Sequence, residues 1–266
     1  MTSPGFQRAY SSEQKAQRAA DLMNAARVLA SRDGVRAVTL TAIAEHAGVH
    51  VSAVRRYYES REEILLNLAG EGYEDWSRAV AAQLSGRSGL ECAELTGTLV
   101  ASLAERPLFC DLLAHVVLSL EREVTYERVR TFKLGAGNAV AVLTGAISAA
   151  SALDRAQAQE LVVAVIALTA TVWQASHPGE TLARLYREDP AVAHIGTDFE
   201  PTLTRLLTAL CDGLTLNKSA TETAGGTGSE AVAIGAESAA VPAARTTSST
   251  ATFPLTGDLG TGAAHS

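Results

Sequence analysis

The sequence predicts an all-α protein built as a small helix-turn-helix head, a larger helical body and an unstructured tail. Three observations carry that prediction. Apolar residues recur every three to four positions through almost the whole chain up to about residue 216. The stretch Leu40–Leu65 reads as helix, tight turn, helix, with Gly48-Val49 breaking the apolar spacing of Leu40, Ile43, Ala44 and Ala47. After Lys218 the composition changes to Ala, Thr, Gly and Ser, which bury too little surface to offset the entropy of ordering. The boundaries expected are a head over 1–65, a body over 66–217 and a disordered tail over 218–266.

Each element has its own signal. Gln14–Arg32 places Leu22, Ala25, Ala26 and Leu29 on one stripe, and Asp33-Gly34 ends it. Val54 is the inward anchor of the short helix after Gly48. Ser60-Arg-Glu-Glu63 is a capping-box pattern that opens a helix through Ile64, Leu65, Leu68, Tyr73, Trp76 and Val80. Gly86–Gly89 separates it from a helix over Leu90–Ala104, and Pro107, suited to a first helical turn, opens the next through Leu120. Glu127–Ala150 and Arg155–Ser176 read as two long helices. His177-Pro178-Gly179 stops the chain before a looser stretch to Gly196, and Asp198–Leu216 is the last helix. No strand is expected.

Composition narrows the class. At 266 residues and 47% hydrophobic, the chain can bury a substantial core. The net charge of −7 is unevenly spread. Residues 1–65 carry nine Lys/Arg against seven Asp/Glu, a balance of +2, whereas the rest carries −9. A basic head on an acidic body suits a partner of negative charge approached in one orientation. Cys92, Cys110 and Cys211 are odd in number and widely spaced; they read as unpaired, buried thiols in a reducing compartment. No metal-ligand spacing is present and no cofactor is expected. The opening residues carry no signal segment, and the runs Ala139–Leu153 and Leu161–Trp173 fall short of the roughly 20 residues of a membrane span. They read as buried helices of a cytoplasmic protein with no membrane partner.

Two short helices joined by a glycine turn place the second in a DNA major groove. The order Thr-Leu-Thr-Ala-Ile-Ala-Glu-His-Ala-Gly-Val over 39–49, a short second helix, and Tyr-Tyr-Glu-Ser-Arg-Glu-Glu-Ile-Leu over 57–65 resembles the N-terminal domain of the TetR family of transcriptional regulators. The body resembles that family in length and helix count. The resemblance implies double-stranded DNA as partner, with Tyr57 and Arg61 as phosphate contacts. Thr39 caps the first motif helix, and Thr39 or Thr41 can donate a hydroxyl to a phosphate. His50, Val51, Ser52, Arg55 and Arg56 occupy the groove-facing segment. Arginine reading guanine is the commonest specific base contact. Arg55 stands where the family often has an aromatic residue, and Val51-Ser52 replace a polar-glycine pair, so the operator sequence stays open.

A single head makes few contacts, so a homodimer on a near-palindromic operator is expected. Leu161, Val165, Leu168, Leu203, Leu207 and Leu210, on the two C-terminal helices, are the interface candidates. The resemblance further implies a small-molecule inducer that releases a repressor from its operator. Trp76, Phe109, Leu113, Val117, Tyr126, Phe132 and Asn138 are the candidate pocket residues, and few charges among them favour an apolar or uncharged ligand. Two other readings stay open. A helical interaction module that no longer binds DNA would act through a protein partner. An enzyme could use Asp111 and His115, spaced i,i+4, as an acid–base pair, but no nucleophile elbow, dinucleotide loop or metal motif accompanies them.

Overall fold

The computed structural model describes residues 4–192 and 198–225, with side chains described over 13–192 and 198–216. Ten α-helices are formed among them: α1 (Pro4–Asp33), α2 (Leu40–His46), α3 (Val51–Val54), α4 (Arg61–Leu84), α5 (Cys92–Ala104), α6 (Pro107–Leu118), α7 (Tyr126–Ala150), α8 (Arg155–Ser176), α9 (Glu180–Glu188) and α10 (Phe199–Gly225). Short 3-10 turns occupy Val35–Ala37, Leu120–Arg122 and Pro190–Val192. The one β feature among the described residues is an isolated parallel bridge between Leu90 and Ser151.

The helix starts follow local chemistry. Thr39 Oγ1 accepts the Ala42 N–H at 3.1 Å, and Ser60 Oγ accepts that of Glu63 at 3.2 Å. Pro107 sits in the first turn of α6. Asp154 takes the N–H groups of Ala156 and Gln157, while Gln157 Oε1 takes that of Asp154 at 3.0 Å, which closes a capping box on α8. Each such cap satisfies donors that the helix itself leaves orphaned.

Several expectations change. α4 runs unbroken across residue 65, so head and body share a helix with no linker between them. The stretch after Gly179, expected to be loose, contains α9. Glu180 in its first turn, Arg187 in its last and the Arg184–Glu188 pair at 2.8 Å support it locally, although none of its residues is buried. α10 continues past Leu216 to Gly225, into the segment assigned to the tail. The remainder of the 218–266 assignment lies outside the described residues.

α4 is the centre of the body and packs most extensively on α7, with α5, α6 and α1 around it. Its aromatic side chains meet those of α6 and α7. Tyr73 lies edge-on to Phe109 at 5.1 Å and to Phe132 at 6.0 Å, and Trp76 lies 5.9 Å from Phe109. The Trp76 indole N–H donates to Ser102 Oγ at 2.9 Å, so its one polar atom is satisfied inside the core. Gly72 makes the α4–α6 approach possible: a β-carbon there would stand 2.3 Å from Phe109 Cδ2. Phe109 is itself enclosed and cannot swing away. Gly72→Ala is therefore expected to lower unfolding free energy by about 1–3 kcal/mol through overpacking, read from urea denaturation midpoints.

This packing redistributes the candidate pocket. Trp76, Phe109, Leu113 and Phe132 are buried among one another or their neighbours, whereas Val117 and Tyr126 are exposed on the surface. Phe132 and Asn138 line an open groove of about 410 Å³ between α4 and α7, and Phe109 lines a separate one of about 370 Å³ among α1, α4 and α6. The seven residues do not converge on one cavity, because the aromatic rings fill the space between their helices.

The interface candidates divide in the same way. Leu161, Val165, Leu203 and Leu207 are buried inside the protomer itself, and Leu168 is half-buried. Only Leu210 of the six is exposed. On the last helix Phe199, Leu203, Leu207 and Cys211 mark the inward face. Outward, α8 presents Val163 and Ala167, and α10 presents Leu206, Ala209, Leu210 and Leu216. α7 and α8 are long and apolar enough to cross a membrane by length and composition, at 25 and 22 residues. Of their most apolar stretches, 28% and 33% are buried, less than the expectation of buried helices implied. In the helical body α7 packs against α4 and α8, and α8 against α6, α7 and α10.

The cysteines correct the reading from spacing. Cys92, at the start of α5, is disulfide-bonded to Cys211 of α10, and Thr96 Oγ1 meets Thr208 Oγ1 at 2.7 Å one turn further on. Helix packing brings together residues 119 positions apart, which no local motif announces. Cys110 alone stays a free thiol; burial pushes its pKa up to about 12 and leaves it unreactive.

Candidate nucleic-acid interface

The head turns on a few residues. α2 ends at His46 with Ala47 as its cap, and Gly48 takes the left-handed conformation, φ 65°, that a side chain would oppose. The chain reverses there, with the Val49 N–H donating to Ala44 O at 2.9 Å. His50 then caps α3: its Nδ1 accepts the Ser52 N–H at 3.3 Å and lies 2.9 Å from Ser52 Oγ. Val54 is fully buried beneath, as its role of anchor requires. α3 is a single helical turn, and Arg55 to Tyr57 continue it as a non-helical turn whose Tyr57 N–H donates to Val54 O at 2.9 Å.

Around this anchor the side chains divide by exposure. Thr41, His50, Ser52, Arg55 and Arg56 are exposed, and Val51 and Tyr57 are half-buried against the core. Thr39 is exposed too, with its oxygen engaged as the α2 cap. Neither Arg55 nor Arg56 forms an ion pair among the described residues, so both guanidinium groups stand free for an anionic or base-edge partner. The Tyr58 hydroxyl donates to Ala19 O at 3.2 Å and fastens the turn to α1.

Arg61, expected as a phosphate contact, is also engaged within the head. Its Nη1 donates to Val38 O at 2.9 Å and to Arg36 O at 3.3 Å, while Nε pairs with Glu62 at 2.6 Å. The guanidinium clamps the start of α4 to the turn before α2. Glu63 does the same toward the body. Buried, it accepts the Glu59 N–H at 2.8 Å and lies 2.8 Å from Arg128 Nη2 on α7. The sequence reading missed a second set of polar groups. Tyr57 borders a groove with Gln14, Lys15, Gln17 and Arg18 of α1. Lys15 and Arg18 lie three positions apart on one helix face, but only the fold shows that Tyr57 stands beside them.

Comparison with known proteins agrees with this geometry. Residues 22–68 match the bacterial regulatory proteins of the tetR family, and residues 70–218, more than half the chain, match the Tetracyclin repressor-like C-terminal domain. The chain belongs to the TetR family of transcriptional regulators. A TetR-family regulator binds operator DNA through this head, responds to small molecules at the level of the family, and catalyses no reaction. No curated protein matches the chain.

Among solved structures, the chain is similar to the TetR-family repressor FadR of Thermus thermophilus in complex with lauroyl-CoA. The identity is 20% and the TM-score 0.46, over 82% of this chain and 100% of that one. FadR of Bacillus subtilis with stearoyl-CoA is 16% identical at a TM-score of 0.41, over 73% and 96%. A TetR/AcrR-family regulator from Thermobifida fusca is 17% identical at 0.43, over 74% and 98%. Likenesses of this degree say nothing of what this TetR-family chain binds.

Proposed function

We propose that this regulator is a homodimeric, cytoplasmic repressor that holds a near-palindromic operator and is released from it by a small molecule. The observation that carries the reading is the pair of unpaired arginines, Arg55 and Arg56, held outward on a turn anchored by buried Val54. Repression follows if the operator overlaps promoter elements, since a bound dimer occludes polymerase. Fluorescence anisotropy against DNA from upstream of the regulator's own gene, with scrambled competitor at two salt concentrations, tests it. Competitor-resistant binding that weakens with salt is expected, because neutralised phosphates release counterions. Binding that is fully competed overturns the reading and favours an interaction module that acts through a protein partner.

The exposed apolar side chains of α8 and α10 support the dimer. Leu206 and Leu210 are each 36% exposed and Leu216 70%, beside Val163 at 57% on α8. A two-fold partner would cover this surface with its own copy. Replacing Leu206 and Leu210 together by Asp is expected to give a folded monomer in analytical ultracentrifugation and to weaken operator binding. A dimer that persists would place the interface elsewhere. For the ligand, the uncharged character expected finds little support in the lining, since Glu71, Glu74 and Arg78 border the α4–α7 groove. The continuity of α4 supports a response at the head, because any tilt of the body on α4 is carried directly to it.

A further inference from the structure

The Asp111–His115 pair, which the DNA-binding role leaves unused, stands at the junction of head and body. As their i,i+4 spacing predicts, the two side chains face each other, with His115 Nε2 3.8 Å from Asp111 Oδ1. That gap is too long for a hydrogen bond. Asp111 instead accepts the Val35 backbone N–H from the head at 3.0 Å and the Gln174 amide from α8 at 2.8 Å. One carboxylate on α6 thus joins the head to α8. It opens on a cleft of about 370 Å³, whose walls come from the end of α1 and the following 3-10 turn on the head side, and from α6 and the end of α8 on the body side.

We propose that this cleft binds a small planar organic cation of the amidine or guanidine class, and that its occupation loosens the head. Three features select that chemistry. Asp111 meets only neutral donors, a peptide N–H and an amide, and each of its oxygens keeps lone-pair capacity for a two-pronged N–H donor. His115 supplies no compensating charge: burial chiefly, with Arg36 and Arg61 acting in the same direction, holds its pKa below the usual histidine value against the pull of Asp111. Trp173 and His177 are stacked at 3.8 Å and 22°, which gives the cleft an aromatic wall suited to a flat cation. On the head side Asp33 is paired with Arg32 at 2.6 Å and Arg36 is exposed, so Asp111 is the carboxylate of the cleft that has no arginine or lysine partner among the described residues.

The coupling follows from the shared carboxylate. A cation that pairs with both oxygens of Asp111 draws charge away from the Val35 N–H and re-aims the carboxylate, which weakens the bond that defines the position of the head. Operator and ligand then weaken each other by the same factor, as linkage requires. This second step rests on the operator-binding reading, whereas the site itself does not.

Calorimetric titration of the full chain without DNA tests the site, with benzamidine as the probe, and benzoate and benzyl alcohol as its anionic and neutral counterparts. Saturable binding of one benzamidine per protomer is expected, at least tenfold tighter than either counterpart. Asp111→Asn and, separately, Trp173→Leu are each expected to weaken it tenfold or more while the unfolding midpoint of at least one variant stays that of the parent. Absent saturation, equal binding of benzoate, or undiminished binding in both variants overturns the site. Operator anisotropy with saturating benzamidine then tests coupling. A tenfold or greater loss of affinity is expected, and unchanged affinity overturns the coupling alone. If no operator is bound under any condition, the regulator reading fails while the calorimetric result for the site stands.

Discussion

Reversing the charge of Arg55 and Arg56 together, Arg55→Glu with Arg56→Glu, is expected to abolish specific operator binding and leave the protein folded. Both side chains are exposed and neither has an ion-pair partner among the described residues, so their loss removes no contact that holds the head. Val54 and Tyr58, which do hold it, are untouched. A bidentate arginine–guanine contact is worth about 1–3 kcal/mol, so the pair accounts for about 2–6 kcal/mol, or roughly 30-fold to 10⁴-fold in affinity. Repulsion from the phosphates deepens the loss, and the salt dependence that remains should be shallower. Anisotropy titrations at two salt concentrations, with circular dichroism and the unfolding midpoint as controls, read all of this. Affinity within threefold of the parent would mean that this turn does not face the groove. The same substitutions at Arg61 are expected to behave otherwise. That side chain braces α4 against Val38 and Arg36, and its loss should lower stability along with binding.

Breaking the Cys92–Cys211 bond is expected to cost about 2–4 kcal/mol of stability, the usual range for a cross-link that restrains the unfolded chain. The two residues are 119 positions apart, so the closed loop contains the body from α5 to α10. Thr96 and Thr208 keep α5 and α10 in contact when the bond is absent, so the reduced protein should keep its fold at a lower midpoint. Guanidinium unfolding with and without dithiothreitol, repeated on Cys92→Ser with Cys211→Ser, measures the difference. The denatured, non-reduced protein should titrate one free thiol, Cys110. Three thiols and a midpoint insensitive to reductant would show the pair unbonded in solution.

The parts of the fold that were legible before the structure share a scale. Thr39 and Ser60 act as caps on donors three residues away, and Gly48 reverses the chain within a single turn. α8 spans Arg155–Ser176 as its apolar run and the His177-Pro178-Gly179 stop indicate. The head's exposed Thr41, His50, Ser52, Arg55 and Arg56 follow from the same short register, because Val54 fixes which side of the turn is inward. α9 was missed for a related reason: Pro178-Gly179 reads as a stop, and the stripe of Leu182, Leu185 and Tyr186 spans only nine residues, too short a run to stand out as a helix.

The sequence by itself determined the helical class, the order of the longer helices, the helix-turn-helix and its resemblance to one family, since each is written in interactions within a few residues. Tertiary structure alone decided which stripe of an apolar helix faces its own core and which is left for a partner. It turned Leu161, Val165, Leu203 and Leu207 inward, filled the expected pocket with Trp76, Phe109 and Phe132, and joined Cys92 to Cys211. It also drew Arg61 away from solvent and placed Asp111 between head and body. The physical reason is common to all five. Burial, pairing and the partner of a charge depend on distances between helices that are remote in sequence, and periodicity along one helix carries no information about them.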